Sequence, residues 1–209
     1  MKTIKNIIFD LGGVILNINY KLSSLEFEKI GLNNFDNIYS KQQQQNIFNS
    51  FEKGEITSKE FIEYIKKQAN VLITDKQIIN SWNAMLLELP KYRFDFINKI
   101  NKKYNIYLLS NTNSIHIAGF KKIIDKNIGY NNFVNSFKKI YLSSEIGIRK
   151  PDEECFKFVL NENKLLANET LFIDDSIQHI NGANQVGLIT HHLLNGEDIT
   201  TVINNIDKL

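Results

Sequence analysis

Asp10 closes the apolar run Ile7-Ile8-Phe9 and is followed closely by Gly12-Gly13, and three more polar clusters come later in the chain: Ser110-Asn111, Lys150-Pro151 and Asp174-Asp175. A carboxylate can attack phosphorus to form an acyl phosphate, which splits one difficult displacement into two easier ones. Its charge repels a phosphate dianion, so a nucleophile such as Asp10 needs cations beside it. Lys150 would supply one positive charge and a Mg²⁺ ion another. Magnesium takes oxygen ligands in octahedral geometry and keeps several waters, a demand that Asp10, Asp174 and Asp175 match. Ser110 and Asn111 offer neutral donors for a non-bridging phosphate oxygen, as do the amides of the Gly12-Gly13 turn. The chemistry implied is phosphoryl transfer, with Asp10, Ser110 and Lys150 catalytic and with Ser110, Asn111 and Lys150 on the phosphate.

Each cluster alone is also ordinary turn or helix-cap vocabulary. What points to a site is their placement. Short β-rich runs recur at Ile4–Phe9, Ile106–Leu109, Lys139–Leu142, Leu171–Ile173 and Leu188–His191, with helix-like stretches between those of the second half. Strands alternating with helices imply an α/β, Rossmann-like parallel sheet with helices on both faces. In such a sheet, ligands bind outside the carboxyl ends of the strands. Asp10, Ser110-Asn111 and Asp174-Asp175 each follow a strand, and Lys150 precedes a proline that fits the start of a helix.

The first two strands lie too far apart for an ordinary crossover. The interval reads as an inserted four-helix cap at 17–88, with the core formed by 1–16 and 89–209. Helices are expected at 21–30, 36–52, 57–69 and Asp75–Leu87, with Gly31 and Gly54 as stops and a return helix at 91–103 after Pro90. Thr57 with Glu60 has the spacing of a capping box, and Thr74 is a second cap. The Gln42–Gln45 run reads as a solvated helix face.

Net charge is +2 from 25 basic and 23 acidic residues without a single-sign block, so nothing marks a nucleic-acid surface. No apolar run approaches the roughly 18 residues of a membrane span, and the start of the chain lacks a cleavage-site pattern. The lone Cys155 excludes an intramolecular disulfide and reads as packing, which with a reducing compartment points to the cytoplasm. The expected partner is a small phosphorylated metabolite, and the chain is expected to be a monomer or weak homodimer.

With these residues in view, the sequence resembles the haloacid dehalogenase superfamily, most of whose members are Mg²⁺-dependent phosphatases. Ile8-Phe9-Asp10-Leu11-Gly12-Gly13-Val14 is similar to its nucleophile motif, Leu109-Ser110-Asn111-Thr112 to its second, Lys150-Pro151 to its third, and Phe172-Ile173-Asp174-Asp175-Ser176 to its acidic fourth. The resemblance implies an aspartyl-phosphate on Asp10, with Asp10, the Gly12 carbonyl, Asp174 and Asp175 as the metal set. It makes Asp175 the direct ligand and lets Asp174 act through water. Gly12 departs from the pattern, because phosphatases of the superfamily usually carry an acid there that protonates the leaving oxygen. The motifs are especially similar to a bacterial subgroup that includes α-D-glucose-1-phosphate phosphatases, in which this position is likewise glycine. There solvent, substrate or a cap residue would carry the proton.

The reading that follows is hydrolysis of a small phosphomonoester, a sugar phosphate in the first instance. A 2-haloacid dehalogenase, in which Asp10 attacks carbon, suits Gly12 but not the acidic pair. A non-catalytic phospho-ligand sensor of the same fold is the third reading. Specificity is expected from the cap, at Phe51, Glu52 and Lys53 before the Gly54 turn. His191-His192 cannot form a one-face metal pair, since adjacent strand residues point oppositely. His116 and His179 read as helix-face histidines.

Overall fold

The computed structural model describes residues 4–33, 35, 46–69 and 71–206. Five parallel strands form its sheet: β1 (Asn6–Phe9), β2 (Asn105–Ser110), β3 (Lys139–Leu142), β4 (Thr170–Asp174) and β5 (Ile189–His192), in the order β3-β2-β1-β4-β5. Every residue of β1 and β4 is buried, as the near-continuous apolar runs require of strands covered on both faces. Alternation divides them: Ile7, Phe9 and Leu108 pack into one cluster, and Ile8, Tyr107 and Phe172 into another on the opposite face.

Between β1 and β2 the described residues hold α1 (Tyr20–Lys29), α2 (Asn46–Glu52), α3 (Ser58–Gln68), α4 (Asp75–Asn83) and α5 (Lys91–Ile100). The first four of these close on an aromatic cluster of their own, in which Phe51 stacks on Phe61 at 4.4 Å and Phe61 meets Trp82 at 5.1 Å. Both expected caps form. Thr57 Oγ1 accepts from the Glu60 amide while Glu60 Oε2 accepts from the Thr57 amide, and Thr74 and Gln77 repeat the exchange.

The helix expected to reach Leu87 stops at Asn83. Residues 85–88 spend their backbone groups on the chain leaving β1, with Asn19 N donating to Met85 O, Leu87 N to Asn17 O and Asn17 N to Glu88 O. A two-segment ladder has replaced the last helical turn, and it joins both passages of chain between sheet and helical insert. The return helix likewise ends at Ile100 and not at 103. Of the helix expected over 36–52, only Asn46–Glu52 lies within the described residues, and the Gln42–Gln45 run falls outside them.

The second half continues with α6 (Ser114–Ile128), α7 (Tyr130–Asn135), α8 (Ser143–Ile146), α9 (Glu153–Glu162), α10 (Ile177–Gln185) and α11 (Ile199–Ile206). Pro151 does not open α9. It lies in a turn closed by Asp152 N donating to Arg149 O, and the helix begins at Glu153. Gly54, at φ +69°, sets the insert against this half. A Cβ there would lie 2.3 Å from the Ser144 carbonyl oxygen, so only glycine lets the turn after α2 rest on α8. No helix among the described residues is long and apolar enough to cross a membrane.

Candidate active site

Register brings the polar clusters together. Phe9 is level with Leu108 on β2 and with Ile173 on β4, so Asp10, Ser110 and Asp174 leave three adjacent strands at one edge. Lys150 reaches them from the loop between α8 and α9. Its side chain is fully buried, with Nζ 2.9 Å from Asp10 Oδ1 and 2.6 Å from Asp174 Oδ2.

One ammonium shared by two carboxylates leaves them unequal. Burial opposes the charged form of Asp174, but Lys150 and then His179 outweigh it and hold the group well below the usual carboxylate range. His179 Nδ1 lies 3.0 Å from both Asp174 oxygens, and the Ser176 amide donates to Oδ1. Burial raises Asp10 to about 7, opposed by Lys150 and reinforced by Asp174 and Asp175. Lys150 would be lowered by burial, yet Asp10 and Asp174 together keep it above the ordinary lysine range. Burial and Lys150 both depress His179, which is therefore neutral and donates from Nδ1.

Asn111, expected to hold phosphate, lines the same cavity as Asp10 and Ser110, and its side-chain amide is tied to the Lys150 backbone. Its Nδ2 donates to Lys150 O at 2.8 Å and its Oδ1 accepts from Lys150 N at 2.9 Å, so its amide brackets the peptide groups that fix Lys150. Ser110, at the end of β2, keeps its place on the wall of a cavity of about 110 Å³ that Asp10, Gly12 and Asp175 also line. Asp175 can approach because residue 13 is glycine at φ +77°, where a Cβ would lie 2.6 Å from Asp175 Oδ2.

Among the described residues, Asp10, Asp174 and His179 offer ligand atoms within 4.8 Å of one another. All three are already engaged, since His179 donates to Asp174 and Lys150 is shared between Asp174 and Asp10. Of the three aspartates, Asp10 and Asp175 line the cavity, beside Gly12, and Asp174 lies behind them. Three carboxyl groups gather here around one ammonium and a neutral imidazole, which is the charge imbalance a divalent cation would relieve.

The three residues expected to set specificity separate. Phe51 is 1% exposed, packed among the insert's aromatic rings and absent from the cavity wall. Lys53 pairs with Glu55 at 2.7 Å and is not on that wall either. Only Glu52 lines the cavity, with Oε2 3.0 Å from Arg149 Nε. Burial raises its carboxyl above the usual range although Arg149 and Lys150 oppose the shift.

His179 and Arg149 are the functional neighbours that motif reading passes over. A histidine one turn into the helix after Asp174-Asp175-Ser176 was the available signal for the first, whereas the reach of Arg149 depends on where the insert docks. His116 lines the cavity from the buried face of α6. Its Nε2 lies 3.1 Å from Trp82 O, its Nδ1 3.2 Å from Asn113 Nδ2, and its ring stacks on Trp82 at 4.8 Å. Burial pushes it down to about 4, so the ring is neutral, donating from Nε2 and accepting at Nδ1. Cys155 is wholly buried and its thiol is pushed up to about 12 by burial, as a packing residue would be.

The family model of the haloacid dehalogenase-like hydrolases matches residues 4–187. D-ribitol-5-phosphate phosphatase of Bacteroides thetaiotaomicron is 31% identical over 97% of this chain and 100% of its own. The crystal structure of a haloacid dehalogenase family enzyme of the same organism, wild-type and in complex with magnesium and inorganic phosphate, superposes with a TM-score of 0.83 at 37% identity, covering 95% of this chain and 98% of its own. The structure of a predicted haloacid dehalogenase-like family hydrolase from Porphyromonas gingivalis gives a TM-score of 0.88 at 27% identity over 99% of both chains.

Proposed function

The chain belongs to the haloacid dehalogenase-like hydrolase family, and from that premise we propose that it is a Mg²⁺-dependent phosphatase that hydrolyses a small sugar or polyol phosphate through an aspartyl-phosphate on Asp10. The observation that carries this reading is Lys150, fully buried and within 2.9 Å of Asp10, at a strand edge where two more aspartates gather. In the proposed division, residues 1–16 and 89–209 form the catalytic core and 17–88 a cap that excludes water from the reaction. The relative named for D-ribitol-5-phosphate supports a polyhydroxylated substrate of similar size.

Asp10, the Gly12 carbonyl and Asp175 would hold the metal, with Asp174 behind them. Bound there, Mg²⁺ would supply the positive charge needed to bring a phosphate dianion against a carboxylate. The residues present do the rest. Asp10 attacks phosphorus in line with the ester oxygen, Lys150 offsets the charge of both attacking and attacked groups, and the Ser110 hydroxyl donates to a non-bridging oxygen. Asn111 holds Lys150 in position, and His179 with the Ser176 amide holds Asp174 ionised. Water then releases phosphate and restores Asp10. Attack on carbon without a cation is disfavoured by the same cluster, because Asp174 and Asp175 raise Asp10 and, among the described residues, Lys150 is the cation that opposes them.

Phosphate release from hexose and pentitol phosphates, with and without Mg²⁺, tests the reading. Turnover should require the metal and vanish in Asp10→Asn. Metal-independent turnover, an active Asp10→Asn protein, or chloride release from chloroacetate without metal would overturn it. Ligand-induced stabilisation with no turnover across the panel would make the protein a sensor.

A further inference from the structure

Gly12 has no side chain to give a proton to the leaving oxygen, and the step must be served from elsewhere. In-line attack by Asp10 puts the leaving oxygen on the far side of phosphorus, away from the strand edge and toward the helical insert. Among the described residues, the insert presents one carboxyl group to that side of the cavity, Glu52 at the end of α2. Its Oε2 is buried and makes no hydrogen bond of ordinary geometry, although Arg149 Nε lies 3.0 Å away as an ion-pair partner. Arg149 is anchored in turn by Nη1 donating to Asn49 Oδ1 at 2.5 Å, one turn earlier on α2.

The other titratable groups on the wall are committed. Asp10 is the nucleophile, Asp175 lies against Gly13, His179 donates to Asp174, and the His116 ring is held between Trp82 and Asn113. Tyr20 is 36% exposed at the mouth. Arg149 does not lose its proton in a protein.

We propose that Glu52 is the general acid and base of the reaction, taking the place of the side chain that Gly12 lacks. This rests on the phosphatase reading. As the Asp10 Oδ–P bond forms and the P–O ester bond breaks, the bonding pair passes to the ester oxygen, which takes the Glu52 proton and leaves as the alcohol. Water then attacks phosphorus and gives its proton to the Glu52 carboxylate. The acyl-phosphate P–O bond breaks with its pair returning to Asp10, and both carboxyl groups regain their starting states. Charged groups bear on Glu52 from one neighbouring segment, with Arg149 and Lys150 favouring its carboxylate. On its own turn, Lys53 is paired with Glu55. Burial outweighs both cations and raises the carboxyl above its usual range, which favours the protonated form.

Leaving-group dependence in Glu52→Gln tests the assignment. An alkyl phosphate expels a poor leaving group and needs an acid, whereas p-nitrophenyl phosphate does not. The kcat/KM for a pentitol phosphate should fall about 100-fold or more while that for p-nitrophenyl phosphate stays within a few-fold. The second substrate should also show a burst of about one p-nitrophenolate per enzyme, because hydrolysis of the acyl phosphate has lost its base. Arg149→Met removes the ion pair but keeps the acid, and should leave the ratio of the two substrates near that of the wild type. Equal losses on both substrates with no burst would make Glu52 a structural residue and overturn the proposal. Should Glu52→Gln not fold, the wild type decides: kcat/KM for the alkyl ester must fall at high pH as the acid is lost, with no such limb for the aryl ester, and matching profiles overturn the assignment. A wild type that releases phosphate from no ester overturns the phosphatase reading and this assignment with it.

Discussion

Replacing Asp10 by Asn should make the protein more stable at neutral and alkaline pH even as it removes the proposed nucleophile. Asp10 Oδ1 accepts from the Leu11 amide at 2.7 Å and meets Lys150 Nζ at 2.9 Å. Both contacts fall on one oxygen, which an asparagine keeps, and Lys150 retains Asp174 as its counter-charge. What the substitution removes is a buried carboxylate held at about 7 against an ordinary value of 3.8, by burial first and then by Asp174 and Asp175, with Lys150 opposing. A raised carboxyl favours its protonated form in the folded state. No penalty exists below the unfolded value, since both states are then protonated. Between about pH 4 and pH 7 the folded protein holds a proton the unfolded chain has released, and stability falls as pH rises. Above pH 7 the loss levels off, at roughly 4 kcal/mol if the whole shift is expressed. Urea unfolding in EDTA from pH 4 to 8.5 measures this. The variant and wild type should converge near pH 4 and diverge in favour of Asp10→Asn toward pH 8, with unchanged m-values and with Mg²⁺ narrowing the gap. A pH-independent difference, or a variant less stable at pH 8, would refute the account of Asp10 as a destabilised, charge-crowded nucleophile.

Gly182→Ala tests how tightly α10 is packed on the loop carrying Lys150. Alanine gains about 1 kcal/mol of helix propensity over glycine, but the new Cβ would sit 2.1 Å from Pro151 O, so a net loss of about 2 kcal/mol is expected by urea unfolding. A stabilised variant would mean the packing is looser than described. Gly13→Ala should cost about 1–2 kcal/mol for its left-handed backbone. It should also weaken Mg²⁺ binding about tenfold by displacing Asp175, as calorimetry would read. His116, pushed down to about 4 by burial, should show no NMR titration of its ring between pH 5.5 and 8. A midpoint near 6.5 would place it in solvent. Because this histidine is lowered, the native state resists taking up its proton, and stability should fall as pH drops from about 6.5 toward 4.

The strand ends were legible because period and composition mark buried parallel strands, and the sheet's geometry does the gathering. Asp10, Ser110 and Asp174 meet for that reason alone. Helix starts were legible at Thr57 and Thr74, where the cap and its partner are close in sequence. Helix ends were less so. Asn83 ends α4 because residues 85–88 find better partners in Asn17 and Asn19, and no local pattern announces a partner so far away in the chain.

That Asp10 and its companions would meet was legible from their types, their order and their position after strands, since a parallel sheet turns sequence position directly into spatial position. Tertiary structure decided what each group is bound to. It placed Lys150 between two carboxylates, tied the Asn111 side chain to the Lys150 backbone, gave Asp174 to His179, sent Phe51 inward and left Glu52 on the cavity wall. These outcomes depend on burial and on contacts between distant segments. Both the energy of a charge and the partners of a polar group are set by what surrounds them after the insert has docked on the sheet, and a one-dimensional pattern does not carry that information.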